Sequence, residues 1–381
     1  MWVVLASHRY PPATGGSERI AELIATGLVR RGHRVTVVTA REPSTREREE
    51  RDGVEVIRLP LRPIGGVRVP VRYLRTLRSL PADLFHLTGN RIWCADFYLP
   101  FQGLFEWPVV VTGHGFYQYA IHPRWWDRWY FERYYVGRLR RVAAYAAISE
   151  LERSQLIRWG LPPGRIERVP NGIDLAEFTP PADPPADVRE AWGLTSTHLA
   201  VYVGGFFENK RVDRLVRALA ARDGRWGLVV YGPDRAVPPY DAASVGRLAA
   251  ELKVPFRWMG VRPRPEVRSA LRAADVVALG SSYEGFGLLL LEAMASARPF
   301  VSFDVGVARE LAETGAGQVV RTEAEFGAAL AEYESAESRA VAGARGRAAV
   351  PRWSAEAMVD RYLRVYDRVR AHRSAPSEVP G

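Results

Sequence analysis

Two carboxylates eight positions apart, Glu284 and Glu292, bracket the glycines of Glu284-Gly285-Phe286-Gly287-Leu288-Leu289-Leu290-Leu291-Glu292. A strand-like Val276-Val277-Ala278-Leu279 and a polar turn, Gly280-Ser281-Ser282, come before them, and helix-forming residues run on to about Ala297. The first backbone N–H groups of a helix have no intrahelical acceptor, so a helix start attracts anions. Each charge-assisted bond from such an amide to a phosphate is worth roughly 1.5–3 kcal/mol, and the helix dipole adds about 0.3–1 kcal/mol. Glycine permits the close approach. Glu284 falls in the loop and Glu292 within the helix, so the two can serve opposite ends of one ligand, each accepting bonds from vicinal hydroxyls of a ribose or a hexose. A helix start with two solvated glutamates fits the spacing equally well.

A second cluster, Tyr202-Val203-Gly204-Gly205-Phe206-Phe207-Glu208-Asn209-Lys210-Arg211, also follows a buried strand and precedes a helix. Its Gly-Gly corner can serve as a second phosphate cradle, and a solvated helix start fits it too. Of 53 basic residues only Lys210 and Lys253 are lysines, so an ammonium here reads as a chosen point charge. A third cluster, His8-Arg9-Tyr10-Pro11-Pro12-Ala13-Thr14-Gly15-Gly16-Ser17-Glu18, follows the first strand. It is too long for a dinucleotide fingerprint, and Thr39-Ala40 lacks the ribose-binding acid, which excludes a nicotinamide or flavin enzyme. His114, in Thr112-Gly113-His114-Gly115, ends another strand on the edge where open α/β sheets bind ligands; a packed structural histidine is the alternative. There is no Walker lysine loop, no His-Glu-x-x-His, no Gly-x-Ser-x-Gly and no Asp-x-Asp pair to chelate a cation. No metal ligands are assigned. Phosphate charge must be met by amides, helix ends and basic side chains.

The elements that would carry these clusters alternate in type. Val3–Ser7, Val35–Val38, Gly53–Leu59, Leu84–Leu87, Pro108–Thr112 and Ala143–Ile148 read as buried strands, with a helical spacing over Ser17–Arg31. Such a pattern predicts a parallel sheet covered on both faces. A second alternation begins at Leu199–Val203, with a helix over Val212–Ala221 and strands at Gly227–Tyr231, Phe256–Met259, Val276–Leu279 and Pro299–Phe303. Between them lie the turn Pro170–Asp174 and the stiff Pro180–Pro185. Ala355–Val369 predicts a long amphipathic helix, and the tail from Ser374 predicts disorder. A length of 381 residues, 47% apolar and 25% charged, fits two domains. A single cysteine, Cys94, excludes intrachain disulfides and thiolate metal sites and fits a reducing cytoplasm. Met1–Ser7 reads as a strand rather than a secretory leader, and no stretch is long and apolar enough to span a membrane. The net charge is +10; the first 180 residues hold 26 basic and 18 acidic side chains. That excess suggests an anionic partner for the first half.

In this order the motifs resemble the retaining GT-B glycosyltransferases of glycosyltransferase family four. The likeness runs from Pro11-Pro12 and Gly15-Gly16 through Arg31-Gly32-His33, His114-Gly115 and Ala147-Ile148-Ser149. It continues with Val169–Asp174, Val203-Gly204, Lys210 and Glu284–Glu292. It implies an α/β fold of two Rossmann-like domains facing across a cleft: an acceptor domain over 1–172, a nucleotide-sugar domain over 173–354, and a helix over 355–373 crossing back to the first domain, followed by the tail 374–381. It implies catalytic roles for His114, Lys210 and Glu284. Donor binding would fall to Gly16, Gly204, Gly205, Lys210, Arg211, Glu284, Phe286, Gly287, Leu288 and Glu292, and acceptor binding to Gly15, Gly16 and His114. Glu292 would hold the ribose, Glu284 the transferred sugar and Lys210 the diphosphate. The reaction implied is transfer of a hexose-type sugar from a nucleotide-diphosphate sugar to a hydroxyl of a glycan or lipid-linked glycan, with no cofactor. Three positions depart from the family. Gly205 replaces an arginine, for which Arg211 is the candidate substitute. Gly280 replaces a proline, and Ala297 a glycine.

Sugar-nucleotide epimerases and phosphorylases share this architecture, but the ordered motifs favour a transferase. The charge alone would admit a nucleic-acid-binding protein, yet no recognised module supports one, and no nucleic-acid partner is expected. Trp125–Tyr135, followed by Arg138, Arg140 and Arg141, sets aromatics and arginines on one stretch. It reads either as a helix packed on the sheet or as an interfacial helix at an anionic membrane. The second reading makes the protein cytoplasmic and peripheral at the inner face of the membrane. It predicts that the protein floats with anionic liposomes at low salt and is released by high salt; absence of flotation at low salt removes it.

Overall fold

A computed structural model describes residues 1–64, 67–89, 93–115, 129–178 and 187–374. The chain divides into two compact units, Met1–Gly172 with Ala355–Gly381, and Ile173–Ser354.

The first unit is built on an eight-stranded sheet: β1 (Trp2–Ser7), β2 (Arg34–Ala40), β3 (Arg48–Arg51), β4 (Val54–Leu59), β7 (Leu84–Thr88), β8 (Val109–Thr112), β9 (Ala144–Ala147) and β10 (Ile166–Arg168). Their order is β10-β9-β8-β7-β1-β2-β4-β3. A separate hairpin pairs β5 (Leu61–Ile64) with β6 (Val67–Pro70). All neighbours in the large sheet are parallel except β3, which runs antiparallel to β4. The alternation of strands and helices does not announce β3 or the hairpin. Arg48-Glu49-Glu50-Arg51 carries no apolar signal, and its charges suit a sheet edge that must not pair further.

Helix α1 (Gly16–Arg30) follows β1 and buries Ile20, Leu23, Ile24 and Leu28. Helix α2 (Glu150–Arg158) follows β9 and is capped by Ser149, whose hydroxyl accepts from the Glu152 amide at 3.1 Å. In the second unit α3 (Val212–Ala220) and α4 (Leu288–Ala295) follow the strands described below. The last helix, α5 (Ala355–Ser374), belongs to the first unit. Its buried face, Met358, Val359, Tyr362, Val365, Tyr366 and Val369, repeats at helical spacing. It lies close on α1, where Gly27 leaves room for Val359: a Cβ there would stand 2.6 Å from a valine methyl. Arg31 ties the same helices together by donating to Asp360 at 2.8 Å.

Of the aromatic stretch weighed as a membrane helix, residues 125–128 lie outside the described residues. Tyr130–Tyr135 forms a π-helical turn and Val136–Leu139 an α-helical one. Tyr135, Val136 and Leu139 are buried in the sheet's core, whereas Trp129 is 62% exposed. Among the described residues no helix is long and apolar enough to cross a membrane.

The second unit has six parallel strands, β11 (His198–Val203), β12 (Trp226–Tyr231), β13 (Phe256–Gly260), β14 (Val276–Leu279), β15 (Phe300–Phe303) and β16 (Gly317–Val320). Their order is β13-β12-β11-β14-β15-β16. The chain winds outward from β11 to β13, then returns to β14 on the other side of β11. The loops leaving β11 and β14 therefore part in opposite directions, and a crevice opens at that switch point.

Helix α4 ends at Ser296 in a Schellman motif: the Ala297 amide donates to Met294 at 3.1 Å and that of Arg298 to Ala293 at 3.0 Å. The motif needs a left-handed residue at 297, and Ala297 takes it, with φ 54°. A Cβ in that region costs roughly 1–2 kcal/mol. Ala297 is exposed, so its methyl packs against little. Ala297→Gly should therefore stabilise the protein by about 0.5–1 kcal/mol, after the added unfolded-state entropy. The expected readout is a thermal midpoint higher by about 2 °C; a lower midpoint contradicts it.

Candidate functional site

At the β11–β14 switch point the loop after one strand is laced to the loop after the other. The Ser282 amide donates to the Asn209 carbonyl at 2.9 Å, and Asn209 Nδ2 donates to the Tyr283 carbonyl at 3.4 Å. That lacing brings Lys210 to Glu284. The ammonium donates to Oε1 at 2.7 Å and to Oε2 at 2.9 Å, and Ser281 Oγ donates to Oε1 at 2.7 Å. The pair is only partly exposed, 24% for the lysine side chain and 12% for the glutamate. Three of the roughly four lone-pair positions on the carboxylate are thus occupied, leaving one on Oε2 for a ligand hydroxyl. The ammonium spends two of its three protons on Glu284 and keeps one.

Close backbone contacts shape this site. Gly280 abuts the next loop: a Cβ there would stand 2.7 Å from the Arg211 carbonyl oxygen. No side chain fits, which accounts for the departure from proline. Gly204 and Gly205 turn the chain after β11, backed by Gly232 at φ 146°, where a Cβ would lie 2.2 Å from the Gly204 carbonyl. A Cβ on Gly205 would stand 2.3 Å from the Phe207 ring. Phe207 thus fills the space a side chain at 205 would need, and the Arg235 guanidinium lies 4.5 Å over its ring. Arg211, the candidate substitute, is held by its neighbour Asp213. Its guanidinium donates twice to Asp213, both at 3.0 Å.

Gly287, left-handed at φ 101°, is the N-cap of α4. The amides that follow it, at Leu288 and Leu289, precede the first i→i−4 bond and carry the partial positive charge of the helix end. Phe286 and Gly287 are buried and Leu288 partly exposed. Glu292 stands one helical turn beyond Leu288. The Phe286 carbonyl is turned away, accepting from the Val307 amide at 3.0 Å. Gly306, at φ 55°, makes this possible, because a Cβ there would stand 2.2 Å from that carbonyl oxygen. Neither Gly232 nor Gly306 is singled out by the sequence reading. Their only signal is position, a glycine just beyond a buried strand.

Gly15, Gly16 and His114 lie in the first unit. Gly15 caps α1 and Gly16 opens it. The Glu18 carboxylate folds back there, such that a Cβ on Gly15 would meet it at 2.2 Å. His114 follows β8 in a left-handed conformation, φ 56°. Burial pushes its pKa down to about 4, so the ring is neutral at physiological pH. Its Nε2 is buried with no hydrogen-bond partner among the described residues. Below it, His86 bonds Thr112 Oγ1 at 2.9 Å and the Tyr366 hydroxyl at 2.7 Å, and Thr112 Oγ1 bonds the Tyr362 hydroxyl at 2.9 Å. The residue most plainly missed is Glu152, only 5% exposed. Its carboxylate accepts from the Ile148 amide at 2.8 Å, from the Gly115 amide at 3.4 Å and from the Tyr145 hydroxyl at 3.3 Å. Burial pushes its pKa up to about 7. Its sequence signal was a capping pattern, Ser149-x-x-Glu152.

Known proteins place the chain in a family. The profile for "Glycosyltransferase Family 4" matches residues 14–177, and that for "Glycosyl transferases group 1" matches residues 197–335. The chain belongs to this glycosyltransferase family. A GDP-mannose-dependent alpha-mannosyltransferase of Mycobacterium tuberculosis (strain CDC 1551 / Oshkosh) is 27% identical over 331 residues, 81% of this chain and 80% of that protein. A D-inositol 3-phosphate glycosyltransferase of Nocardia farcinica (strain IFM 10152) is 37% identical over 180 residues, 45% of this chain but only 40% of the relative. Among solved structures, sucrose-phosphate synthase from Thermosynechococcus elongatus superposes with a TM-score of 0.82 at 20% identity, covering 97% of this chain and 99% of that one. Anabaena HepE in complex with UDP-glucose does so at 0.80 and 17%, covering 97% and 100%. The glycosyltransferase has the GT-B fold, with a Rossmann-like sheet in each unit.

Because Gly306 supports the loop that starts α4, Gly306→Ala should displace Phe286 and disturb the neighbouring amides. Donor KM is expected to rise about tenfold, the equivalent of one lost amide bond, with a lower thermal midpoint. A variant with unchanged KM would show that this glycine does not shape the donor site.

Proposed function

We propose that this glycosyltransferase transfers a hexose-type sugar, with retention and without a metal ion, from a nucleoside-diphosphate sugar to a hydroxyl of a glycan or lipid-linked glycan. The observation that carries the reading is the Lys210–Glu284 pair at the strand switch point, on the loop that leads into the α4 amides. A diphosphate leaving group needs positive potential where its charge develops. Lys210 offers its remaining proton, and the amides of Gly287, Leu288 and Leu289 offer a preorganised dipole. Glu284 accepts from a hydroxyl of the transferred sugar, and Glu292 from the ribose. Gly204 and Gly205 let the phosphates approach the backbone.

The sugar–phosphate bond lengthens toward an oxocarbenium-like state as its electron pair passes to the diphosphate. The departing phosphate oxygen then takes the proton of the acceptor hydroxyl, whose oxygen bonds to the anomeric carbon on the same face. No protein nucleophile is needed. His114, uncharged, can lie beside the developing cation without repelling it, and Gly15 and Gly16 take part in receiving the acceptor. The names of the relatives support this class of donor: one is GDP-mannose-dependent, and one neighbour was solved with UDP-glucose. Attachment to an anionic membrane surface remains part of the proposal for a lipid-linked acceptor.

The test is turnover of a panel of nucleotide sugars in excess EDTA, with the anomeric configuration of the product read by proton NMR. The expected product keeps the donor's configuration, and Lys210→Ala lowers kcat by about 10²–10³-fold, the cost of losing one preorganised donor to a developing anion. Inversion, dependence on a divalent ion, or an unchanged kcat at saturating donor would each contradict the proposal.

A further inference from the structure

We propose that Glu152 is a positioning residue: its buried carboxylate holds the His114 turn in its working conformation through the Gly115 amide. This rests on the reading of His114 as part of the transfer site. A left-handed histidine is an uncommon backbone state and persists only where its surroundings hold it. The turn is gripped on both sides. Before it, Thr112 is fixed by His86 and Tyr362. After it, the Gly115 amide donates to Glu152 Oε1 at 3.4 Å. The same carboxylate receives the Ile148 amide on Oε2 at 2.8 Å. One side chain therefore clamps the ends of β8 and β9 together. A helix cap alone does not require this, because Ser149 already caps α2.

The carboxylate has no ionic partner among the described residues. The titratable groups around it are Tyr145 from β9, whose hydroxyl donates to it, and Tyr362 from α5, which burial keeps neutral at physiological pH. Burial pushes its pKa up to about 7, so the grip is tunable near neutrality. Ionised, Glu152 is acceptor-only and can hold both amides at once. On protonation one oxygen becomes a donor, and the longer bond, to Gly115, is the one expected to be lost. The sign for stability is opposite. The folded pKa lies above the unfolded value, so the folded protein binds the extra proton between about pH 4.5 and 7. The ionised carboxylate therefore makes the fold progressively less stable as pH rises through that window.

Glu152→Gln keeps the size of the side chain and removes the charge, and it separates these effects. It should lower kcat at pH 8 by about tenfold, within the coupling expected for residues in contact, and abolish an acid limb centred near pH 7. In a His114→Ala background the same substitution should cost nothing further. Its thermal midpoint relative to the parent should rise as pH is raised from about 5 to about 8. Independently of activity, the Gly115 amide nitrogen shift should titrate near pH 7 in the parent and be flat in Glu152→Gln. An equal loss of kcat with and without His114, no loss at all, or a Gly115 amide that does not titrate would overturn the proposal. Should His114→Ala itself leave kcat intact while the Gly115 amide titrates as expected, the assignment of His114 to the site fails and the clamp stands only as a structural feature. Absence of any transfer by the parent protein would instead sink the functional reading on which this inference rests.

Discussion

The loops at the β11–β14 switch point are organised around an ammonium held beside a carboxylate, each with hydrogen-bonding capacity to spare. Lys210 and Glu284 come from loops that leave adjacent parallel strands in opposite directions, and backbone bonds between Asn209 and Ser282 hold those loops together. A bidentate ion pair that is mostly shielded from water is costly to break by removing one partner, since the survivor is left desolvated and unpaired. The pair is thus both a structural clasp and a store of directed charge. Each partner keeps spare hydrogen-bonding capacity, the lysine as donor and the glutamate as acceptor. A phosphate and a sugar hydroxyl match that capacity in kind.

Around the clasp, backbone does much of the work. Gly280, Gly232 and Gly306 each stand where a Cβ would meet a carbonyl oxygen at well under 3 Å. These approaches let three loops share a small volume and turn the Phe286 carbonyl away from the start of α4. The first unit follows a related logic with different parts. There a buried carboxylate, Glu152, gathers amides from two loops, and a neutral network of His86, Thr112, Tyr362 and Tyr366 seats the last helix against the sheet.

The sheets and most of their helices were legible because burial on both faces writes continuous apolar runs, such as Val3–Ser7 and Val276–Leu279. Amphipathic helices such as α1 keep a 3.6-residue spacing. The Glu284–Glu292 segment and Lys210 were legible because glycines, carboxylates and a rare lysine fall beside predicted strand ends. What escaped notice had no local signal. The antiparallel β3 is all charge, and its pairing is fixed by β4. Gly232 and Gly306 matter because of what lies opposite them in space. Glu152 looked like an ordinary helix-start acid, and only its burial distinguishes it. Arg211 is the candidate for the missing arginine contact, and its engagement by Asp213 shows only in three dimensions.

The claim on which the rest stands is that Lys210 and the α4 amides favour a diphosphate over a monophosphate without help from a cation. Calorimetric titration of UDP and GDP beside UMP and GMP, in a chelating buffer, measures this directly. The account predicts that at least one diphosphate binds about tenfold tighter than its monophosphate, as one added charge-assisted contact implies, and that Lys210→Ala erases the gap. Equal affinities in the parent protein, or a gap that survives loss of the ammonium, would contradict it.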